Sequence, residues 1–411
     1  MNRIIENKKL SGEISGITSK SYAHRAIFCA AIAKGKPIIE ISDLSKDIEA
    51  SINVIKSLGV EVIKKDNKFY INPSKIYKSP VTFDVNESGT TLRFLLPIVA
   101  TLGLDAKIIR RGSLINRTNS VYFHEFPKHG VDIYEKGDMI FVSGKLKDYN
   151  FTLPANISSQ FVSGFMIASG FYGEDFNIKI TTERESKPYI DMTIDIMRKF
   201  GSCVIEKKRG YICRGKFKAI DYVVEKDWSN ALFFLASGVK VKGLDKNSKQ
   251  GDRKAIEIFR DLGYENILKD EFQFKRVKDP KKKIIIDAKN MPDAVPILSV
   301  LAAASNTETE VINIKRLKLK ESDRVKSTVE MLNNLGVDVN LREESFSFSG
   351  IEKFKSAKID SHKDHRIAMA SSIAATFAEG PIIINNSDCV EKSYKNFFKD
   401  FKSLGGISNV L

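Results

Sequence analysis

The sequence predicts an α/β protein of two domains, assembled from six copies of one structural unit, and three observations carry that prediction. Six almost purely apolar runs recur along the 411 residues, each preceded by a short polar edge. Counted at Lys20, Ser88, Ser158, Trp228, Asp293 and His365, the steps between those edges are 68, 70, 70, 65 and 72 residues, the regularity of an internal repeat. Out of phase with them, Gly59, Gly130, Gly201, Gly263, Gly336 and Gly405 each follow an amphipathic helical segment, and the first five lead into strand, polar turn, strand.

The elements follow in order. Ala26 to Ala33 is a continuous apolar stretch, so the first helix has no water-facing side and is expected to be buried all round, ending at Gly35 as a C′ glycine. Its front edge, Ser19-Lys20-Ser21, sits where unpaired N–H groups and the positive end of the helix dipole point outward. The same design recurs at Ser88-Gly89-Thr90, Ser158-Ser159-Gln160, Asp227-Trp228-Ser229, Pro292-Asp293 and Asp364-His365-Arg366. Each unit therefore reads as strand, buried helix, strand, outer helix, hairpin. The sixth copy is short: after Gly405-Gly406 only I-S-N-V-L remains, one strand where two are needed. The segment Arg3 to Ser15 is expected to supply the missing partner. Six units then divide three and three, residues 18–226 in one domain and 1–17 with 227–411 in the other, with crossings near Gly16–Ser19 and Asp221–Asp227.

Composition narrows the function classes. An apolar content of 42% supports substantial cores and excludes a disordered chain. The four cysteines show no C-x-x-C pairing and Cys29 falls inside a buried helix, which argues against a disulfide framework or zinc site and suits a reducing cytoplasm. Apolar runs fall well short of the roughly 20 residues a membrane span needs, so no membrane partner is expected. The formal charge of +15 invites a nucleic-acid reading, but the lysines are spread along the chain. A small, multiply anionic ligand explains the bias equally well.

Candidate site residues lie at the polar edges and in a few loops. Lys20, Ser21 and Arg25 read as an anion seat or as a solvated helix start. Gly89 exposes bare backbone to a ligand, with N-capping by its neighbour as the plain alternative. Arg117 lies in a polar loop. Ser158, Ser159 and Gln160 offer two hydroxyls and an amide, of which capping explains one. Ser186 and Tyr189 follow a strand. Asp293 serves equally well as an N-cap. In K-L-K-E-S-D-R, Lys320 and Arg324 are expected one helical turn apart with Glu321 beside them, either a surface ion-pair helix or a device that holds an anion while the carboxylate moves a proton. Arg366 puts a cation at a buried helix mouth, the pair His362 and His365 lacks further metal ligands, and Lys392 alone reads as a surface lysine.

Taken together and in this order, S-K-S-Y-A-H-R, S-G-T-T-L-R, S-S-Q-F, S-K-P-Y, Q-G-D, P-D-A, K-E-S-D-R, D-H-R-I-A-M-A and C-V-E-K-S-Y resemble the enolpyruvyl transferases of the shikimate pathway over essentially the whole chain. The resemblance implies two inverse α/β barrel-like domains, each of three βαβαββ repeats, joined by a double-crossover hinge and closing over a cleft. It implies transfer of the enolpyruvyl group of phosphoenolpyruvate to the 5-hydroxyl of shikimate 3-phosphate by a cytoplasmic monomer, with no metal and no organic cofactor. Carried over by residue, Lys20, Ser21, Arg25, Ser158, Ser159, Gln160, Ser186, Tyr189, Asp293 and Lys320 resemble shikimate 3-phosphate contacts. Lys20, Gly89, Arg117, Gln160, Arg324, Arg366 and Lys392 resemble the phosphoenolpyruvate set. Asp293, Glu321 and Lys20 are the implied catalytic residues, Asp293 accepting the 5-hydroxyl proton and Glu321 giving one to the methylene carbon. The sister enzyme acting on UDP-N-acetylglucosamine usually carries a Cys in the loop here occupied by G-S-L-I-N-R-T-N, which lacks one. Glu87 and Phe94 stand where many relatives have Asn and Pro, and Arg316 stands where some have Asn near the substrate, so Arg316 is left outside the expected site.

Overall fold

The computed structural model describes residues 1–73, 79–171 and 175–411, and the chain divides into two units, Thr18–Glu225 and Met1–Ile17 with Lys226–Leu411. Thr18–Glu225 follows one course three times. The first is α1 (Lys20–Ile32), β3 (Ile38–Glu40), α2 (Lys46–Ser57), β4 (Glu61–Lys65) and β5 (Lys68–Asn72). The second is β6 (Val81–Asp84), α3 (Gly89–Leu102), β7 (Ala106–Ile109), α4 (Ser120–Glu125), β8 (Val131–Lys136) and β9 (Met139–Gly144). The third is β10 (Asn150–Leu153), α5 (Ser159–Ala168), β11 (Phe176–Ile180), α6 (Lys187–Lys199), β12 (Cys203–Lys207) and β13 (Gly210–Arg214). Each sheet is ordered first, second, fourth, third strand, for example β6-β7-β9-β8, with the first two parallel and the hairpin antiparallel. The first course lacks a leading strand of its own, and β14 (Asp221–Val223) fills the place by pairing parallel to β3, Tyr222 opposite Ile39.

The other unit repeats the course with two substitutions. Its copies are α7 (Trp228–Ala236), β15 (Lys240–Lys242), α8 (Ala255–Asp261), β16 (Tyr264–Asn266) and β17 (Phe274–Arg276); then β18 (Lys283–Asp287), α9 (Val295–Ala303), β19 (Glu308–Ile312), α10 (Arg324–Asn334), β20 (Val339–Leu341) and β21 (Ser345–Ser349); then β22 (Ala357–Asp360), α11 (His365–Ala374), β23 (Ile382–Asn385), α12 (Phe397–Ser403) and β24 (Ser408–Val410). The chain start supplies β1 (Arg3–Ile5), which lies between β23 and β24 and is antiparallel to both, Ile4 facing Ile383 and Asn409. It also supplies β2 (Glu13–Ser15), parallel to β15 with Ile14 opposite Val241. The segment expected to complete one sheet thus contributes to two. In the fourth copy the sheet is split, because three-residue strands carry only short ladders: β2–β15 and β16–β17 are linked by the single bridge Val241–Phe272.

Every sheet among the described residues is open, since the outer hairpin strands β4, β8, β12 and β20 have no further partner. Helices α7, α9 and α11 are buried at every residue, and α1, α3 and α5 at nearly every one. Each unit has its own apolar core. The outer α2, α6 and α10 bury one face only. The six periodic glycines all have φ between +78° and +96°, the left-handed turn that ends each outer helical segment. Gly35 does not end α1: the helix stops at Ile32 with an extended Ala33 as its cap, because the chain turns off to bridge Lys34 with Lys218.

Candidate active site

In Thr18–Glu225 three buried helices begin at one level. Ser19, Ser88 and Ser158 cap α1, α3 and α5, accepting from the N–H groups of Tyr22, Thr91 and Gln160. Two residues past its cap, Gln160 donates from Nε2 to Thr90 Oγ1, two past the neighbouring cap, at 2.8 Å. Further in, a Cβ on Gly164 would collide with the Arg93 carbonyl oxygen, so only glycine fits where α5 meets α3. The Arg25 guanidinium, six past Ser19, lies 5.4 Å from the ring of Phe94, six past Ser88. Three positive helix ends are thus pooled on one side of the unit.

Charged and polar side chains furnish that side. Lys20 Nζ is 3.1 Å from Asp47 Oδ2 on α2. Arg25 is buried and committed to protein acceptors: Thr193 Oγ1 at 2.8 Å, the Ser21 carbonyl at 2.6 Å and the Tyr189 carbonyl at 2.7 Å. Burial pushes its guanidinium down to about 10, still a cation at neutral pH. It ties α1 to the first turn of α6, where Ser186 caps in the left-handed region at φ +51°. The Arg117 guanidinium lies against the bare backbone of Gly89, 2.9 Å from where a Cβ would stand.

Two contributors in this unit were not foreseen. Arg93 donates to Gln160 Oε1 at 2.7 Å and to the Thr118 carbonyl at 3.0 Å, over the ring of Phe161. It fixes which way the Gln160 amide points. The signal was present, a lone arginine inside T-L-R-F-L-L-P. The second is His24, fully buried with Nδ1 2.7 Å from Ser51 Oγ, where burial pushes its imidazole down to about 3 from an ordinary 6.5. Below pH 6.5 the unfolded chain takes up a proton here that the folded chain refuses until about pH 3, so stability falls as pH drops through that window. Denaturant titrations of His24→Asn against the parent are expected to show the acid slope reduced by one proton, about 1.4 kcal/mol per pH unit; an unchanged slope would contradict a neutral buried His24.

In the other unit α7, α9 and α11 also start together. Asp227 and Asp364 cap their helices on the Asn230 and Arg366 N–H groups at 2.7 and 2.9 Å. Asp293 is not a cap, since α9 begins at Val295 after Ala294. Its carboxylate instead gathers cations: Arg324 Nη1 at 2.8 Å, Arg366 Nη2 at 3.2 Å and Lys320 Nζ at 3.5 Å. Lys320 and Arg324 do not share a helical turn, because α10 starts only at Arg324; they meet through Asp293. Arg324 is fully buried and also donates to Asp364 at 2.9 Å and Glu321 at 2.8 Å. Arg366 Nη1 and Ser393 Oγ both reach Asn230 Oδ1, which brings the turn ending in Lys392 alongside.

The electrostatics follow from burial set against partners. Burial opposes the charged form of Asp293, but Lys320, Arg366 and Arg324 outweigh it and hold the carboxyl well below its usual range. Burial, with Arg324 and Arg316, pushes the Lys320 ammonium down to about 8 against the pull of Asp293. Arg316, left outside the expected site, therefore acts on it through Lys320. Burial opposes the charge on Arg324 as well, yet Asp364, Asp293 and Glu321 raise it. Asp252, buried near Asp293, is pushed up to about 7 by burial and by that like charge. Among the described residues no three His, Cys, Asp or Glu side chains converge on a metal position, and no helix is long and apolar enough to cross a membrane.

A family model described as EPSP synthase (3-phosphoshikimate 1-carboxyvinyltransferase) matches residues 4–401. The chain belongs to the EPSP synthase family. The 3-phosphoshikimate 1-carboxyvinyltransferase of Clostridium perfringens is 39% identical over 98% of both chains, and that of Clostridium kluyveri 38% identical over 98% of this chain and 97% of its own. A solved EPSP synthase from Acinetobacter baumannii superposes with a TM-score of 0.80 over 100% of both chains at 22% identity, which speaks to the fold alone. The family's named members are transferases.

Proposed function

We propose that this protein transfers the enolpyruvyl group of phosphoenolpyruvate to the 5-hydroxyl of shikimate 3-phosphate, releasing phosphate. One observation carries the reading: Asp293 and Glu321 stand beside two buried arginines, Arg324 and Arg366, and the partly buried Lys320 at the joint start of three helices. Such a site desolvates anions without paying the cost of reorganising water around them. The 5-hydroxyl oxygen attacks C2 of phosphoenolpyruvate while Asp293 takes its proton, and Glu321 protonates the methylene carbon to a methyl group. Loss of phosphate from the tetrahedral adduct, with a proton leaving that methyl, restores the vinyl ether. An incoming anion that engages Arg324 and Arg366 leaves the Asp293 carboxylate facing less positive charge, which favours its taking a proton. In the other unit, Lys20, Gly89, Arg117 and Gln160 serve phosphoenolpyruvate. Ser21, Arg25, Ser158, Ser159, Ser186 and Tyr189 serve shikimate 3-phosphate, Arg25 by holding the Ser21 and Tyr189 backbone. The protein then works as a cytoplasmic monomer, its charge directed at small anions and not at nucleic acid.

Phosphate release from phosphoenolpyruvate, measured with shikimate 3-phosphate and separately with UDP-N-acetylglucosamine, tests this. Release with the first acceptor alone is expected; release only with the second, or with neither, rejects the reading.

A further inference from the structure

We propose that His24 is a positioning residue for the anion seat at the start of α3, acting through Ser51, Thr91 and Ser88. The inference rests on the functional reading above, in which Gly89 and its neighbours receive phosphoenolpyruvate. Four side chains, all with 0% exposure, form an unbroken line across three helices. His24 Nδ1 on α1 is 2.7 Å from Ser51 Oγ on α2, Ser51 Oγ is 2.7 Å from Thr91 Oγ1 on α3, and Thr91 Oγ1 donates to Ser88 Oγ at 2.8 Å. None of these residues is a charged contact, and no other step of the reaction uses them.

Counting protons sets the direction of the line. A hydroxyl has one proton. Thr91 spends its proton on Ser88, so Ser51 donates to Thr91, and His24 donates to Ser51 as the Nδ1–H tautomer. Ser88 Oγ accepts twice, from the Thr91 hydroxyl at 2.8 Å and the Thr91 N–H at 3.3 Å, so the cap has only its own O–H left to offer. Beside it the first N–H groups of α3 are also donors. The seat next to Arg117 is thereby made of donors only, which suits an anion. Without a donor at position 24, Ser51 is no longer held. Thr91 is then free to turn its proton to Ser51 and Ser88 to turn its own inward, and the seat loses a donor.

The test is steady-state kinetics with both substrates on the full chain, with thermal melts, for His24→Leu, Ser51→Ala and His24→Asn. Asn puts an amide N–H2 where Nδ1–H stood. The expected result for His24→Leu is a phosphoenolpyruvate KM raised about five- to tenfold, with kcat and the shikimate 3-phosphate KM within about twofold, and recovery in His24→Asn to within about twofold of the parent; Ser51→Ala, in which Thr91 has no acceptor in this line but Ser88, is expected to keep the phosphoenolpyruvate KM within about twofold. An unchanged phosphoenolpyruvate KM in His24→Leu, a parallel rise in both KM values, no recovery in His24→Asn, or a raised phosphoenolpyruvate KM in Ser51→Ala overturns the proposal; the Ser51→Ala result keeps it testable if His24→Leu does not fold. A parent chain without turnover would instead remove the functional reading, and the assignment with it, and that outcome is visible before any variant is compared.

Discussion

Asp293→Asn is expected to abolish measurable phosphate release and to cost about 3 to 5 kcal/mol of folding stability, because it breaks a buried ionic cluster from its centre. The substitution keeps the shape and removes the charge. Lys320, Arg324 and Arg366 all bond to this one carboxylate. Arg324 retains Glu321 and Asp364, but Arg366 keeps only the neutral oxygen of Asn230 among its side-chain acceptors described above. Uncompensated cations in a mostly buried cluster attract any available anion, so millimolar inorganic phosphate is expected to raise the melting temperature of the variant more than that of the parent. Denaturant unfolding and thermal melts with and without phosphate check both statements. Parent-like stability with no added response to phosphate would mean that the three cations are balanced some other way.

Glu321→Gln is expected to act on rate and leave the fold alone. The Gln amide oxygen remains able to accept from Arg324 Nη2, where Glu321 Oε2 now sits at 2.8 Å, so binding of both substrates should hold. A proton donor to carbon is lost, and kcat is expected to fall by roughly 10²- to 10⁴-fold with KM values little changed. Turnover near that of the parent enzyme would take Glu321 out of the chemistry and leave it as a tether for Arg324.

Much of the architecture could be read from the chain because burial writes itself into composition. A helix covered on every side has no reason to carry polar residues, so α7, α9 and α11 stand out as apolar runs, and each outer segment signals its end with a left-handed glycine. The errors fell where a local rule met a long-range partner. Lys320 and Arg324 look like a helical pair at four residues' spacing, yet the chain is still irregular at Lys320 and they converge on Asp293, 27 and 31 residues away. Asp293 looks like a cap because acids before apolar helices usually are, but three cations hold it instead. Lys392, unremarkable by itself, is buried, and its neighbour Ser393 reaches Asn230, 163 residues distant.

By itself the sequence determined the sixfold repeat, the six buried helices with polar starts, and the set of motifs that identifies the family. These depend on which residues water excludes and on turns that span only a few positions. Tertiary structure alone decided that β1 and β2 enter two different sheets, that Arg93 orients Gln160, and that Asp293, Lys320, Arg324 and Arg366 shift one another's protons. The reason is range. Hydrophobic periodicity is printed residue by residue, whereas a hydrogen bond or a Coulomb interaction depends on a distance that exists only after the chain has folded.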